Sequence, residues 1–160
     1  SLSLSSREKC SNSLTISAAH HTSDYNSTQM ILRRGQAFAI TLNFQTTVQP
    51  EDNFTFIAST GPSPAESQQT KAVFHLSEDA ANGWSATQEH CEPGCMSLII
   101  VSPANAIIGR YKLKIRIVSG NKTSSALLGQ FVLLFNPWCP STFYCIMFFR
   151  KSGCHSTAYT

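Results

Sequence analysis

Four residues near the C-terminus, Cys139, Cys145, Cys154 and His155, are of types that could do chemistry. Thiolates and imidazoles bind zinc, and a cysteine paired with a histidine can act as a nucleophile. Their spacing matches no zinc signature, and no strand–helix pattern surrounds them. We therefore interpret them as loose thiols on a C-terminal tail, with an independent Cys–His enzyme as the lesser alternative.

Two earlier pairs of residues are also of metal-binding type. Cys91 and Cys95 lie four residues apart across a Pro-Gly turn and could pair or bind a metal. They lack a second ligand pair, so we expect an exposed loop with free thiols. His20 and His21 are adjacent, and adjacent side chains on a strand point to opposite faces, so we expect a structural role. The sequence thus predicts no catalytic residue, no metal ligand and no cofactor in this chain.

A row of basic residues is the remaining candidate site, and its members are Arg110, Lys112, Lys114 and Arg116. They alternate with four apolar residues, which are Tyr111, Leu113, Ile115 and Ile117. This period of two predicts a half-buried β-strand with every basic side chain on one face. Such a face could bind a sulfated glycan or another anionic surface. Alternatively, the like charges protect a solvent-facing strand from edge-to-edge pairing.

The composition limits the class of protein. A chain of 160 residues, 42% of them hydrophobic, can build one domain with a real core. The net charge of +3 is too small to indicate nucleic-acid or membrane binding. All nine acidic residues occur by Glu92, whereas seven Lys or Arg follow from Pro93 onward. The apolar block from Phe143 to Phe149 is far shorter than the roughly 18 residues of a membrane span.

The sequence gives only indirect evidence about the cellular compartment of the protein. The first ten residues contain no basic segment followed by an apolar run, so no signal peptide is predicted. Six cysteines fit no small disulfide scaffold. Three glycosylation sequons, at Asn26, Asn53 and Asn121, barely exceed the about two that chance gives, so they do not indicate secretion. We expect a cytoplasmic protein, with unconventional export as an alternative.

Short segments of strand character divide the chain. Apolar or alternating runs predict strands at 14–16, 38–44, 54–58, 71–76, 84–88, 96–101, 110–117 and 131–135. A short apolar segment at 29–32 ends at a turn signal, Arg33-Arg34-Gly35. Asn82–Gly83 predicts a hairpin, and we expect loops at 61–64, at 91–95 and in the turn-rich stretch 118–130. No segment of ten residues shows helical period. Seven to nine short strands favour an all-β, immunoglobulin-like antiparallel β-sandwich.

We expect three parts of the chain: a flexible N-terminal segment at 1–13, the sandwich at 14–140, and a disordered tail at 141–160. A sandwich needs large apolar side chains on its inner faces. The aromatic candidates for this core are Phe38, Phe44, Phe56, Phe74, Trp84, Tyr111, Phe131 and Phe135. Burial of one such side chain contributes roughly 1.5–3 kcal/mol.

Seven strings of residues, in order along roughly 19–140, resemble the N-terminal β-sandwich of animal transglutaminases. They are AHHT at 19–22, LRRGQ-x-F at 32–38, TGP at 60–62, TKAVF at 70–74, WSA at 84–86, IGRY at 108–111 and LG-x-F-x-LLFNPWC at 128–139. The last string is very specific by itself. The amino-acid sequences of 59–74 and 84–86 are most similar to those of the epidermal type.

The resemblance implies a Ca²⁺-dependent protein-glutamine gamma-glutamyltransferase, an enzyme that joins a Gln side chain to a Lys amine. Full-length members hold the Ca²⁺ and the Cys-His-Asp triad in a papain-like core, with the nucleophile in a Gly-Gln-Cys-Trp string. That string is absent from these 160 residues. We therefore expect the chain alone to be catalytically silent. Its implied role is to pack on the core and to present a surface to a matrix or other protein partner.

The chain departs from the family pattern immediately after Pro140. Family members continue with acidic residues and then the core, whereas residues 141–160 contain no acid and no matching string. We interpret this as a truncated product or incomplete gene model with a short non-family tail. The alternative is a divergent tail on a free-standing binding module, which could act as a decoy that competes with the full-length enzyme for partners.

Overall fold

The computed structural model describes residues 19–25, 29–44, 47–76, 83–92 and 94–137, with the backbone alone for 90–92. Eight strands form there: β1 (Met30–Arg33), β2 (Ala37–Asn43), β3 (Asn53–Thr60), β4 (Lys71–His75), β5 (Ser85–Glu92), β6 (Cys95–Val101), β7 (Gly109–Ser119) and β8 (Lys122–Leu134). A 3-10 helix at Glu66–Gln68 lies between β3 and β4. The strand predicted at 14–16, the N-terminal segment 1–13 and the tail 141–160 lie outside the described residues and stay predictions.

The strands form two sheets that enclose one hydrophobic core. One sheet has five strands in the order β1-β8-β7-β3-β4, and the other has three in the order β2-β6-β5. Every neighbouring pair is antiparallel except β1 and β8, which run parallel with Met30 opposite Phe131. The prediction of an all-β, immunoglobulin-like antiparallel β-sandwich is confirmed.

The longest hairpin, β7 with β8, follows directly from the alternation in the sequence. The four apolar residues that alternate with the basic row in β7 point inward and are 1–3% exposed, whereas the basic residues point outward. β7 turns into β8 within two residues, and Gly120 in that turn has a φ of +54°, which glycine adopts without strain. The stretch 118–130, predicted to be turn-rich, is mostly strand, because pairing with β7 overrides the weak strand preference of its Ser and Gly residues.

The prediction of a hairpin around Asn82–Gly83 is wrong. β4 pairs with β3 in the five-stranded sheet and β5 pairs with β6 in the other, so the chain crosses between sheets here. Gly83 has another reason to be glycine, because its φ is +77° and an added Cβ would lie 2.7 Å from the Cβ of Pro103. The hairpin forms instead between β5 and β6, where Cys91 pairs with Met96 and Glu92 with Cys95, so the ends of the expected cysteine loop belong to strands.

Aromatic side chains fill the space between the sheets. We call six of them the aromatic stack, and in contact order they are Phe38, Phe131, Tyr111, Trp84, Phe74 and Phe56. Successive ring centroids are 5.5–5.7 Å apart, a favourable separation for aromatic pairs. Phe44 is also buried, as predicted. The prediction that Phe135 belongs to the core is wrong. Its side chain is only half-buried, and its ring centroid lies 5.3 Å from the Arg34 guanidinium carbon.

Candidate functional site

The basic row, Arg110, Lys112, Lys114 and Arg116, lies in the middle of the five-stranded sheet. All four side chains are exposed on the outer face, as predicted. Alternate residues of a strand are about 6.8 Å apart, so the four positions span about 20 Å along a line. β7 has a hydrogen-bonded neighbour on each side, β3 and β8. The basic row therefore does not protect a sheet edge, and that interpretation is wrong.

Uncharged side chains border the basic row on both sides. The outward positions paired with it are Thr55, Ile57 and Ser59 on β3, and Ser125, Leu127 and Gln130 on β8. Ser59 and Gln130 thus flank Lys112, and Ser125 flanks Arg116 on one side. On the other side of Arg116 the Thr55 hydroxyl is buried and lies 3.3 Å from His75 Nδ1. A narrow apolar strip crosses the row at Lys114. Leu127 in that strip is 47% exposed. The row is one residue wide, and polar groups able to form hydrogen bonds lie next to it.

The two sheets differ in charge. The five-stranded sheet contains seven Lys or Arg and no Asp or Glu, whereas the three-stranded sheet contains two Glu and no Lys or Arg. In the described part of the chain, the one ion pair found on the five-stranded sheet joins Lys71 Nζ to Glu66 Oε1 at 3.3 Å, two strands from the row. The positive field of the row is therefore not compensated by any carboxylate on its own sheet.

The second polar group of interest is a buried anchor at the N-terminal end of the described chain. His20 is fully buried, and its Nδ1 accepts the backbone N–H of Arg33 at 2.8 Å. Its Nε2 therefore carries the proton and donates to the carbonyl oxygen of Ala37 at 3.0 Å. Burial lowers the pKa of His20 from its ordinary value of 6.5, with smaller effects from Ala37, Arg33 and His21. Both ring nitrogens are in use, so the predicted structural role of His20 is supported.

Arg33 is the centre of this anchor. Its Nε donates to the carbonyl oxygen of His20 at 3.1 Å, and one terminal nitrogen donates to the carbonyl oxygen of Phe135 at 2.8 Å. The Thr22 hydroxyl donates to the carbonyl oxygen of Ile31 at 2.9 Å. We call His20, Thr22 and Arg33 the polar anchor. The sequence did not predict it, because Arg33 was interpreted only as part of a turn signal.

Metal and nucleophile chemistry finds no support in the described ranges. No group of three or more His, Cys, Asp or Glu residues in them could hold a metal ion. Cys95 is a half-buried free thiol on β6. The C-terminal set Cys139, Cys145, Cys154 and His155 lies outside the described residues. In the part of the chain that the structure covers, no helix has the length and apolar character needed to cross a membrane.

A cleft of about 290 Å³ lies between the 3-10 helix and the loop after β6. Glu66, Lys71, Trp84 and Pro103 contribute to its lining. The two charged groups pair with each other at 3.3 Å, and Trp84 is itself 4% exposed as part of the aromatic stack. The cleft therefore presents no uncompensated charge or free ring that would select a ligand.

Residues 12–118 match the family model described as "Transglutaminase family", which is the model of the N-terminal domain. That match covers more than half of the chain. The chain belongs to the transglutaminase family. Its wider likeness extends to solved structures: a transglutaminase from red sea bream superposes with a TM-score of 0.64 at 30% identity, covering 80% of this chain and 19% of that one.

Curated relatives agree with this transglutaminase assignment. Human protein-glutamine gamma-glutamyltransferase 6 is 44% identical over 123 residues, and human protein-glutamine gamma-glutamyltransferase E is 45% identical over 120 residues. These alignments cover 76% and 75% of this chain but only 17% of each relative. Human protein-glutamine gamma-glutamyltransferase 2 is 41% identical over 125 residues. The epidermal subtype stays a prediction, because relatives of three kinds match at similar identity.

The strings that carry the family resemblance serve the fold. AHHT supplies His20 and Thr22, and LRRGQ supplies Arg33, so both strings meet in the polar anchor. The LLFNPWC string supplies the Phe135 carbonyl that Arg33 binds. WSA and IGRY supply Trp84 and Tyr111 to the aromatic stack. In the described residues, what this transglutaminase domain shares with its family is mainly architecture.

Proposed function

We propose that this chain is a non-catalytic N-terminal domain of a Ca²⁺-dependent protein-glutamine gamma-glutamyltransferase, the class of enzyme that joins Gln to Lys side chains. The observation that carries the proposal is the role of the family strings: those described by the structure build the core and the polar anchor. The match to only 17% of the first relatives supports it. So does the lack of a Gly-Gln-Cys-Trp string in these 160 residues.

In the parent enzyme this domain packs on the catalytic core and presents a partner-binding surface. The polar anchor supports the packing role, because it ties the segment around His20 to the end of β8 through the Arg33–Phe135 hydrogen bond. A catalytic core that follows the LLFNPWC string would thus begin close to a residue, Phe135, whose position is held by this hydrogen bond. The exposed basic row supports the second role, since nothing on its own sheet neutralises it.

An amine-incorporation assay on the purified 160-residue chain, with Ca²⁺ and a Gln-bearing protein substrate, tests the catalytic part of the proposal. We expect no incorporation above the blank, while a full-length transglutaminase in the same buffer serves as positive control. A variant with all six Cys changed to Ser identifies contamination, because contaminating activity survives that change. Activity that disappears on Cys154→Ser alone would overturn the proposal and indicate a Cys–His active site in the tail.

A second candidate function is a free-standing binding module that competes with the full-length enzyme for its partners. The exposure of the basic row favours it, because the row needs no other domain to be accessible. Competition is the test: added in excess, the chain should reduce binding of a full-length transglutaminase to an immobilised partner. A chain that leaves this binding unchanged, while it remains folded by circular dichroism, does not act as a decoy for that partner.

A further inference from the structure

The outer face of the five-stranded sheet combines three properties. It carries the four charges of the basic row in a line, it lacks any carboxylate on its strands, and the row occupies a central strand. Like charges on one strand repel one another, and neither an edge to protect nor an ion pair among the described residues compensates for this. An external anion would remove the repulsion.

The geometry of the row favours a linear polyanion over a planar one. The four charges lie about 6.8 Å apart along about 20 Å, and the strands on either side contribute no further charge beside them. A bilayer surface would be contacted best by a broad two-dimensional patch of cations, in which each Lys or Arg adds to the attraction. A single row instead matches a chain-like ligand that runs parallel to β7.

The chemistry of the flanking residues favours a glycan over a nucleic acid. Single-stranded nucleic acids are held by aromatic side chains on which bases stack. The Phe, Tyr and Trp rings on the five strands all point into the core, and none borders the basic row. Ser59 and Gln130 beside Lys112, and Ser125 beside Arg116, offer hydrogen bonds of the kind that sugar hydroxyls accept and donate.

We propose that the basic row binds a sulfated glycosaminoglycan chain lying along β7, with Arg110, Lys112, Lys114 and Arg116 contacting successive sulfate or carboxylate groups. The proposal rests on the partner-binding role suggested above and names the class of partner. It does not depend on whether the chain has enzymatic activity. Binding releases counterions from the polyanion, so the affinity should fall steeply with salt.

The test is binding of the 160-residue chain to fluorescent heparin oligosaccharide as the probe, titrated at several NaCl concentrations. The decisive variant is the double change Lys112→Gln and Lys114→Gln. A matched control removes two charges from the same sheet away from the row, with Lys71→Gln and Lys122→Gln. We expect about a tenfold loss of affinity and a shallower salt dependence for the row variant, and less than a twofold loss for the control.

Several outcomes would overturn the proposal. Equal losses for the two double variants would mean that net charge, not the row, determines binding. Undiminished affinity for heparin lacking its sulfates would exclude recognition of sulfate. Binding of anionic lipid vesicles or of a single-stranded oligonucleotide as tight as heparin binding would assign the face to another partner. None of these outcomes changes the result expected in the amine-incorporation assay. The glycosaminoglycan proposal can therefore fail while the non-catalytic assignment stands.

Discussion

The aromatic stack and the polar anchor are both buried, but they hold the domain in different ways. The aromatic stack joins the two sheets by ring contacts at 5.5–5.7 Å, which depend on area and shape more than on direction. The polar anchor joins residues 20–22 to β1, and β1 to Phe135 just after β8, by hydrogen bonds between specified atoms. The stack stabilises the sandwich as a whole, whereas the anchor holds residues 20–22 and Phe135 next to β1.

This difference predicts different responses to mutation. Similar side chains can replace one another in an apolar core at modest cost. A buried polar group that loses its partner keeps the full cost of having left water. We therefore expect the anchor to tolerate fewer conservative changes than the stack, although the stack contributes more stability for each side chain.

The largest effect should come from shortening the centre of the aromatic stack. Phe74→Ala removes a ring that is 1% exposed and contacts both Phe56 and Trp84, so the free energy of unfolding should fall by about 3–5 kcal/mol. Urea unfolding followed by tryptophan fluorescence measures it. Phe135→Ala, at a half-buried ring outside the stack, should cost about 1 kcal/mol. Similar losses for the two variants would contradict the boundary of the core given above.

Removing the centre of the polar anchor should have the next largest effect. Arg33→Met keeps much of the volume but leaves the carbonyl oxygens of His20 and Phe135 without their donor, so we expect a loss of about 2–3 kcal/mol. Arg34→Met is the matched control: Arg34 donates to Ala106 and lies over the Phe135 ring, and its loss should cost about 1 kcal/mol.

Limited proteolysis distinguishes the role of the anchor from a general loss of stability. In Arg33→Met the segment 19–25 should be cleaved first, because its attachment is weakened locally. If cleavage were instead spread evenly over the chain, Arg33 would stabilise the sandwich without positioning its N-terminal end.

The polar anchor should also make stability depend on pH. The folded state lowers the pKa of His20 below 6.5, mainly by burial, so the unfolded state binds a proton more readily. The stabilising contribution is therefore complete above pH 6.5 and is lost as the pH falls through the lowered pKa. His20→Gln should be less stable at pH 7.5 yet show a smaller decline on acidification. Parallel pH curves for the unmodified chain and His20→Gln would exclude His20 as the responsible group.

A smaller effect concerns the one hydroxyl in the aromatic stack. Tyr111→Phe removes the 2.7 Å hydrogen bond to the Ile107 carbonyl and should cost about 1 kcal/mol at neutral pH. Burial raises the pKa of Tyr111 to about 12, against a smaller lowering effect of Arg34. The folded state therefore holds this proton longer than the unfolded state, and the unmodified chain should lose stability as the pH rises above 10. Tyr111→Phe should lack that part of the alkaline decline in thermal midpoint.

The smallest effect is expected on the outer face. Lys112→Gln with Lys114→Gln changes only exposed side chains, so the free energy of unfolding should stay within about 0.5 kcal/mol of the original. Thermal unfolding at low and high salt measures this, and any gain should be largest at low salt, where repulsion is least screened. A loss above about 2 kcal/mol would show that the basic row supports the sheet and would undermine its use as a binding variant.

The sequence predicted those parts of the fold that depend on neighbouring residues. The alternation along β7 is local, so it indicated both the buried and the exposed face of that strand correctly. The hairpin at Asn82–Gly83 was wrong because a turn preference does not specify which sheet the next strand joins. The sequence likewise did not show that β7 is a central strand, so the edge-protection hypothesis could not be excluded until the pairing was known.

The polar anchor could not be derived from local pattern at all. Arg33 bonds to carbonyls 13 and 102 residues away along the chain, and nothing in Arg33-Arg34-Gly35 indicates which arginine is buried. The family resemblance marked the relevant strings without explaining them. Only the structure shows that AHHT, LRRGQ and LLFNPWC are parts of one hydrogen-bonded unit.

The parallel pairing of β1 with β8 also limits the order in which the strands can pair while the chain is being synthesised. Met30 lies opposite Phe131, so the two partners are separated by most of the domain. On a ribosome, which extends a chain by about 5–20 residues per second, β1 emerges early and must wait several seconds for β8 to be made. During that interval the β3–β4 and β5–β6 hairpins can already form, because their strands are close in sequence. The first of the eight described strands to be synthesised is therefore among the last to be placed.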